Sequence, residues 1–289
     1  MIRAFTWIAV AYLVAGALAV AVGIALPGRH PILVAGAADL AATVAIFAFS
    51  LAFRNSSFYD PYWSVAPIPI ASYWWLSAGD CAGAPVRRLL AFALVSLWGI
   101  RLTTNWARGW WGLAHQDWRY SDLEKRTGRA YWLVSFLGIH LFPTAMVFLG
   151  CLPLFPVLAE SVRPLGPLDL IAAGVTGSAI ALEAAADQRL HRFRMASHPP
   201  GDFLRSGLWA WCRHPNYLGE ILFWWGLFAF SLASGFASWW TAVGAIAITG
   251  MFRVASIPML ERRMLERRPG YAEHATRTSM LLPRRPTAR

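Results

Sequence analysis

The residues whose chemistry stands out most lie in one short segment, residues 213–220, which reads Arg-His-Pro-Asn-Tyr-Leu-Gly-Glu. Pro215 predicts a helix that begins here, because a proline in the first turn lacks an N–H that would have no partner anyway. Asn216 and Glu220 are four residues apart and share one face of that helix, with Tyr217 beside them. Glu220 already lies in an apolar run, where an ionisable side chain is costly and indicates a functional site. The alternative is a helix cap with a glutamate that reaches back to water.

Two other helix ends carry polar side chains at helical spacing. These residues are Arg101, Asn105 and Arg108 in one segment, and Glu183, Asp187 and Arg194 in the other. Asp117 and Arg119 lie in a Trp-rich loop between the two segments, and His214 opens the segment described above. A single polar helix end is usually just solvated. Three such ends at one membrane depth favour a ligand larger than a phosphate or a metal ion.

A dinucleotide fits this set of side chains. Arginines bind phosphate oxygens through bidentate, charge-assisted hydrogen bonds, and carboxylates accept from ribose hydroxyls. An asparagine with a glutamate can hold a carboxamide, and the excess of arginine favours NADPH over NADH, because a 2′-phosphate needs a cation. The chain lacks a Gly-x-Gly-x-x-Gly followed by a βαβ pattern, so we expect no Rossmann domain.

No metal site is expected, because the histidines lack ligand spacing and the three cysteines follow no ligand pattern. Cys81, Cys151 and Cys212 also indicate no disulfide framework, although a bridge between Cys81 and Cys151 stays open.

The composition indicates an integral membrane protein. Hydrophobic residues make up 57% of the chain and charged residues 14%. Apolar runs recur at a length of about 20 residues, which is enough to cross a bilayer. We therefore expect an all-α, polytopic helical bundle with seven to eight transmembrane helices, as a single domain over 1–289. The candidate spans are 5–26, 32–53, 62–78, 88–106, 131–151, 167–186, 216–231 and 236–254.

The positive charge predicts the orientation. If the C-terminus is cytoplasmic, the segments 101–129, 187–215 and 253–289 are cytoplasmic too, and that side holds 22 of the 26 Lys and Arg residues. This asymmetry explains most of the net charge of +11, so nucleic acid is not an expected partner. We expect a protein of the bacterial-type inner (plasma) membrane with both termini in the cytoplasm, in contact with membrane lipids. Its oligomeric state is not predicted.

At these residues the chain resembles the membrane steroid 5-alpha-reductase superfamily, most closely its bacterial DUF1295 branch. The resemblance runs over roughly 55–285 and rests on these residues: Asp60 to Trp63, Arg101, Asn105, Arg108, Asp117 to Tyr120, Glu183, Asp187, Gln188, Gly207 to Trp209, Arg213 to Glu220 and Glu261 to Pro283. The family fold implied is a bundle of seven or slightly more helices. It would hold NADPH near its cytoplasmic side and admit an apolar substrate from the bilayer.

The resemblance also implies residue roles. It places cofactor binding at Asn105, Arg108, Asp187, Arg194, Asn216, Tyr217 and Glu220, with Asp117, Arg119, Glu183, His214 and Arg253 in addition. The implied reaction is hydride transfer from NADPH to the β-carbon of an activated C=C bond. A hydrogen-bond donor would hold the conjugated carbonyl oxygen and stabilise its developing charge.

One departure from the family pattern concerns the substrate. Steroid reductases place a glutamate and a tyrosine in their early helices, whereas this chain has no glutamate before Glu124. The expected catalytic residues are therefore Asp39, Asp60 and Tyr62, with Tyr59 and Tyr73 as alternatives to Tyr62. Asp39 lies well inside the second span, where burying an ionisable side chain costs free energy, and this makes it a functional candidate. A structural contact with Ser or Thr of a neighbouring helix is the alternative.

Two other classes of protein stay open. Isoprenylcysteine carboxyl methyltransferases and bacterial phospholipid methyltransferases share a similar Arg-His-Pro-x-Tyr-x-Gly core and bind S-adenosylmethionine there. The arginines at 101, 108, 119 and 194 have no obvious use with that cofactor, which lacks a phosphate. A non-enzymatic membrane protein such as a transporter would carry charges near the bilayer midplane on both repeat halves. Here the charges cluster at one face.

Overall fold

We describe the chain from a computed structural model that places residues 2–78 and 84–285. These residues form helices joined by loops and turns, and no β-strand occurs among them. The predicted all-α class is therefore confirmed. The helices fall into two compact units, Met1–Pro164 and Leu165–Arg289. That the whole chain is a single membrane domain stays a prediction.

The first unit begins with long helices and continues with shorter ones. Its α-helices within the described residues are α1 (Ile2–Ala25), α2 (Pro31–Ala52), α3 (Tyr62–Val65), α4 (Pro67–Leu76), α5 (Pro85–Gly109), α6 (Trp118–Thr127), α7 (Tyr131–Ser135), α8 (Phe142–Cys151) and α9 (Leu154–Leu158). Short 3₁₀ segments occupy Ser56–Tyr59 and Gly128–Ala130, and a π segment occupies Phe136–Leu141.

The second unit is built around two long helices. Its α-helices within the described residues are α10 (Pro167–Met195), α11 (Leu208–Trp211), α12 (Pro215–Ser234), α13 (Ala242–Met251), α14 (Ile257–Arg267) and α15 (Tyr271–Arg277). A 3₁₀ segment at Phe236–Thr241 precedes α13, and a π segment at Phe252–Ser256 joins α13 to α14.

Within residues 2–78 and 84–285, six helices are long and apolar enough to cross a membrane, counting a helix together with the 3₁₀ or π segments that continue it. They are Ile2–Ala25, Pro31–Ala52, Trp118–Cys151, Pro167–Met195, Pro215–Ser234 and Phe236–Arg267. The shortest has 20 residues, which at about 1.5 Å per residue matches a hydrocarbon core of about 30 Å. The chain is thus a multi-pass membrane protein.

Prolines set several helix boundaries. In the described part of the chain, the first residue of a helix is a proline in α2, α4, α5, α10 and α12. The predicted span 62–78 is divided into α3 and α4, because Pro67 has no N–H to continue the helix. Both π segments lie just before a proline, Pro143 or Pro258, whose missing N–H frees the carbonyl one turn earlier.

Helices α10 and α12 approach each other closely in the second unit. A Cβ atom added at Gly219 would lie 2.8 Å from the Cβ of Glu183 and 2.9 Å from the carbonyl of Ala179. A Cβ atom added at Gly226 would likewise lie 3.0 Å from the backbone nitrogen of Thr176. Small residues permit this approach, as is typical of helices packed in a membrane. This close packing against α10 fixes the position of α12, whose first turns contain residues 215–220.

Candidate functional site

Asn55 fixes the loop that follows α2. Its Oδ1 accepts a hydrogen bond from the N–H of Ser57 at 2.8 Å, and its Nδ2 donates to the carbonyls of Leu113 at 2.8 Å and His115 at 3.2 Å. The loop is thereby anchored both to itself and to the segment after α5. Residues 59–62 follow this anchored loop directly, and they include Asp60 and Tyr62 of the motif Asp-Pro-Tyr.

Asp39 on α2 and Tyr62 at the start of α3 form a buried pair. The Tyr62 hydroxyl donates to Asp39 Oδ1 at 2.6 Å and also lies 3.0 Å from the Asp39 carbonyl. Asp39 Oδ2 is buried as well and has no hydrogen-bond partner among the described residues. Two of the three predicted catalytic residues are therefore in contact, and one carboxyl oxygen is left to bind a ligand.

An apolar cavity of about 710 Å³ lies beside this pair. Its walls come from α1 to α4, and its polar lining groups, within the described residues, are Tyr12, Asp39, Tyr62 and Tyr73. The remaining lining residues are glycine, alanine, proline and aliphatic side chains. Ile24 of α1 lines the cavity and is 76% exposed, so the cavity opens at the outer face of that helix. Its volume is typical of ligand pockets, and its lining suits an apolar molecule with one polar group.

Thr43 and Thr144 extend the pair into a chain of buried hydroxyls. Thr43 Oγ1 donates to the Asp39 carbonyl at 2.9 Å and lies 2.8 Å from Thr144 Oγ1. The Tyr59 hydroxyl is 2.8 Å from the same Thr144 oxygen. Neither threonine is among the residues predicted from the sequence. Thr43 follows Asp39 by one helical turn, which is a readable signal, whereas nothing in the sequence brings Thr144 of α8 to this face.

Asp60, the third predicted catalytic residue, belongs to another group of side chains. Its Oδ1 accepts a hydrogen bond from the Tyr120 hydroxyl at 2.7 Å. Burial raises the pKa of Asp60 to about 6, an effect larger than the opposing hydrogen bond from Tyr120 and charge of Arg119. Asp60 is not part of the described lining of the apolar cavity. Of the three predicted catalytic residues, Asp39 and Tyr62 are therefore the ones that line the cavity.

Asp117 and Arg119, two predicted cofactor contacts, bind each other. The guanidinium donates to Asp117 Oδ1 at 2.8 Å and to Oδ2 at 3.2 Å, and Asp117 also caps α6 through the N–H of Arg119 at 2.9 Å. Burial acts to raise the pKa of Asp117, but the hydrogen bonds and charge of Arg119 outweigh it and hold that pKa below its usual value. The Asp117 N–H in turn donates to Ser57, which links this ion pair to the Asn55 loop.

In the second unit, Arg213 and His214 point to the C-terminal segment. Arg213 Nε donates to Glu261 Oε1 at 2.6 Å, and Nη1 binds the carbonyls of Ala275, at 2.7 Å, and of Thr278. His214 Nε2 lies 3.0 Å from the same Glu261 oxygen. These contacts hold α14 and α15 against the start of α12. The other ring nitrogen of His214, Nδ1, is buried without a hydrogen-bond partner in the described part of the chain.

The remaining residues of the segment 213–220 follow the predicted helical face. Tyr217 stacks on the ring of His214, with centroids 5.5 Å apart, and packs against Phe252 at 4.7 Å. Asn216 is half-buried in the first turn of α12. Glu220 is buried one turn further on, next to the close approach between Gly219 and α10.

Three predicted cofactor arginines lie at the ends of helices or in the π segment, and all three are exposed: Arg108, Arg194 and Arg253. None of them has a hydrogen-bond or ion-pair partner among residues 2–78 and 84–285. The other predicted cofactor contacts on α5 and α10 are half-buried or buried: Asn105, Glu183 and Asp187. No cluster of His, Cys, Asp and Glu that fits a metal ion occurs in the described residues. Cys151 and Cys212 are buried free thiols, and Cys81 lies outside those residues.

Comparison with known proteins gives a family and a distant relative. Residues 46–278 match the family described as "Protein of unknown function (DUF1295)". An uncharacterized protein of Schizosaccharomyces pombe is 28% identical over 254 residues, which cover 80% of this chain and 73% of the relative. No solved structure matches the chain significantly. The chain belongs to the DUF1295 family.

Proposed function

We propose that the protein is an integral membrane reductase of the steroid 5-alpha-reductase type. It would transfer hydride from NADPH to an activated C=C bond of an apolar, steroid- or lipid-like substrate. The observation that carries this proposal is the apolar cavity of about 710 Å³ with the buried Asp39–Tyr62 pair in its wall. Such a cavity holds an apolar molecule, and the pair offers a polar contact for one oxygen atom.

The side chains at the helix ends fit NADPH by their chemistry. Arg108, Arg194 and Arg253 are exposed guanidiniums with no partner in the described chain, and guanidiniums bind phosphates with bidentate geometry. His214 Nδ1 is a buried nitrogen that is free to accept or donate a hydrogen bond. Asn216 and Tyr217 add an amide and a phenol at the start of α12. This set supports a phosphate-bearing cofactor better than S-adenosylmethionine.

The residues of the cavity have distinct roles in this proposal. When bound, NADPH supplies the hydride. A neutral Asp39 carboxyl would donate a hydrogen bond from Oδ2 to the substrate carbonyl and stabilise the negative charge that develops on its oxygen. Tyr62 holds the other carboxyl oxygen at 2.6 Å and so fixes the orientation of the group. The apolar walls exclude water, which strengthens this hydrogen bond.

The finer membrane topology also belongs to this proposal. We propose seven to eight spans, with α5 as a further span, because its 25 residues cover about 37 Å at 1.5 Å per residue. Both termini would lie in the cytoplasm of a bacterial cell and the spans in its inner membrane. The arginine excess at the cytoplasmic helix ends supports this orientation.

Calorimetric titration of the protein in mild detergent tests the cofactor. We expect NADPH to bind about tenfold or more tightly than NADH, because the 2′-phosphate gains at least one charge-assisted hydrogen bond. The Asn216→Ala variant should bind NADPH more weakly, since it removes an amide from the first turn of α12. Asp39→Asn should bind NADPH as the unaltered protein does.

Ser234→Ala is the matched control, because Ser234 ends the same helix and its hydroxyl binds only the nearby Ser231 carbonyl among the described residues. Its affinity for NADPH should be unchanged. A preference for S-adenosylmethionine over NADPH would overturn the reductase proposal and support a methyltransferase.

A further inference from the structure

The helix Phe236–Arg267 of the second unit is longer than the hydrocarbon core of a bilayer. Its 32 residues cover about 48 Å at about 1.5 Å per residue, whereas the core is about 30 Å thick. Trp239 and Trp240, which are exposed near its start, are of the type that lies at the membrane–water interface. With these two side chains at one interface, the hydrocarbon core ends near Met259, about 30 Å further along the helix. Residues 260–267 therefore extend into the layer of lipid headgroups on the other side.

The exposed side chains of this helix change from apolar to basic at the same level. Between Val243 and Met259 the exposed residues are apolar except Arg253, which the proposed function assigns to the cofactor. Beyond Met259, Arg262 and Arg267 are exposed, and neither has a hydrogen-bond or ion-pair partner among the described residues. Two guanidiniums without a protein partner thus lie where phosphate groups of lipids are found.

Arg262 and Arg267 lie away from the contact between α14 and the start of α12. That contact runs through Glu261, whose carboxylate binds Arg213 and His214. At about 100° per residue, Arg262 and Arg267 are about 100° and 120° away from Glu261 around the helix axis, in opposite directions. They therefore flank the side of α14 that this contact leaves exposed.

The segment that begins with α14 carries a large positive charge. Residues 257–285 contain seven arginines and three glutamates. Two of the glutamates are already paired within the protein, Glu261 with Arg213 and Glu273 with Arg277. Clusters of four to eight Lys or Arg residues directly after a membrane span are typical of surfaces that bind anionic lipids.

We propose that α14 binds the headgroups of anionic phospholipids of the surrounding bilayer through Arg262 and Arg267. Guanidiniums bind phosphate oxygens by charge-assisted, bidentate hydrogen bonds. A zwitterionic headgroup also carries a phosphate, but its ammonium group cancels the negative charge, so the surface selects lipids with a net negative charge. The bound lipids hold α14 at one depth in the membrane, and with it the Glu261 carboxylate that contacts Arg213 and His214.

Native mass spectrometry of the full chain in mild detergent tests this surface without cofactor or substrate. The protein is titrated with phosphatidylglycerol and, separately, with phosphatidylcholine, and the dissociation constant of each lipid is measured. We expect phosphatidylglycerol to bind more tightly. The double variant Arg262→Gln/Arg267→Gln should bind phosphatidylglycerol about thirtyfold more weakly, since one arginine near the membrane surface contributes about a fivefold factor. Its affinity for phosphatidylcholine should change little.

Two single variants make the result specific. Arg277→Gln removes an arginine of α15 that is bound to Glu273 at 2.8 Å, and its dissociation constant for phosphatidylglycerol should stay within about twofold of the unaltered protein. Glu266→Gln removes the exposed carboxylate that lies between Arg262 and Arg267 on the exposed side of α14, so it should strengthen the binding of phosphatidylglycerol.

Three results would overturn the proposal. The first is equal affinity of the unaltered protein for the two lipids, and the second is unchanged affinity of the double variant for phosphatidylglycerol. The third is displacement of phosphatidylglycerol by an equal concentration of glycerol 1-phosphate, which would show a site for a soluble phosphate. NADPH affinity of the double variant is measured separately and should be unchanged; its loss would assign the two arginines to the cofactor instead.

Discussion

Asp60 is half-buried beside the Tyr120 hydroxyl, and the nearby Arg119 lowers the pKa of its carboxyl by less than burial raises it. Its carboxyl therefore has a folded-state pKa of about 6, above the usual value of 3.8. The folded protein binds more protons than the unfolded chain between these two values. The free energy of unfolding must then decrease as pH rises from about 4 to about 6, as far as Asp60 contributes.

Replacement of Asp60 with Asn should flatten this pH dependence. An uncharged amide of the same shape is not penalised by burial at the higher pH, so the variant should lose less thermal stability than the unaltered protein between pH 4 and 6. The shift of about two units corresponds to roughly 3 kcal/mol. Thermal unfolding in detergent, measured at intervals of pH, gives both curves.

Glu273→Gln is the control for this experiment, because its side chain is 58% exposed on α15. It should leave the shape of the pH curve as it is in the unaltered protein. Parallel curves for Asp60→Asn and the unaltered protein would show that Asp60 does not titrate in this range.

Part of the buried polar cluster around Asp39 could be predicted from the sequence and part could not, for a physical reason. Asp39 is predicted from the cost of a carboxyl inside a span, and the structure places it in contact with Tyr62; its catalytic role stays a prediction. Thr43 and Thr144 were not predicted, because a threonine in a membrane helix usually binds its own backbone one turn earlier. Its contact with a neighbouring helix depends on packing, which a single sequence does not contain.

At the scale of helices, α10 and α12 depend on glycine where they meet. Gly219→Ala should destabilise the protein, because the new Cβ would lie 2.8 Å from the Glu183 Cβ and 2.9 Å from the Ala179 carbonyl. Overpacking of this kind costs about 1–3 kcal/mol. Thermal unfolding in detergent, together with the yield of folded protein, measures the effect.

Gly250→Ala gives the matched comparison on α13. Nothing lies within 4 Å of a Cβ atom at Gly250, and alanine favours a helix over glycine by about 1 kcal/mol. This variant should be as stable as the unaltered protein or slightly more stable. Equal effects of the two substitutions would mean that α10 and α12 do not pack through Gly219.

Helix positions were easier to predict than helix interruptions. Long apolar runs and first-turn prolines located α1, α2, α10 and α12. The π segments and the division between α3 and α4 are harder to predict, because a proline leaves a backbone carbonyl without its usual N–H and the sequence does not show which group binds it instead. The segment 213–220 was predicted as a cofactor site, yet Arg213 and His214 also bind Glu261, a contact across 47–48 residues that no local pattern indicates.

At the scale of the whole chain, the charge asymmetry makes the orientation testable. Alkaline phosphatase, which is active only outside the cytoplasm, should be active when fused after Pro164 and inactive when fused after Arg205 or at the C-terminus. A fluorescent protein fused at the C-terminus should fold and fluoresce in a bacterial host. The expectation follows from the 22 of 26 Lys and Arg residues that lie on the side predicted to be cytoplasmic.

The reversed pattern of phosphatase activity would refute this orientation. The start of α5 and the loop around Ser161 should report the same side of the membrane, because the Arg87 side chain binds Ser161 and the carbonyls of Arg163 and Pro164 in the loop predicted to lie outside.

Removal of the exposed Arg29 should leave the orientation unchanged, because the remaining excess of Lys and Arg still favours the side predicted to be cytoplasmic.

The limits of the family match have a consequence for the apolar cavity. The match begins at residue 46, whereas α1 and most of α2, including Asp39, precede it. The cavity wall formed by α1 and by residues 34–42 of α2 thus lies outside the family match, whereas the segment 213–220 lies inside it. Chimeras that exchange residues 2–45 between two relatives would show whether this segment determines which ligand binds. If it does, ligand selectivity could be redesigned by changing α1 and the first part of α2 alone.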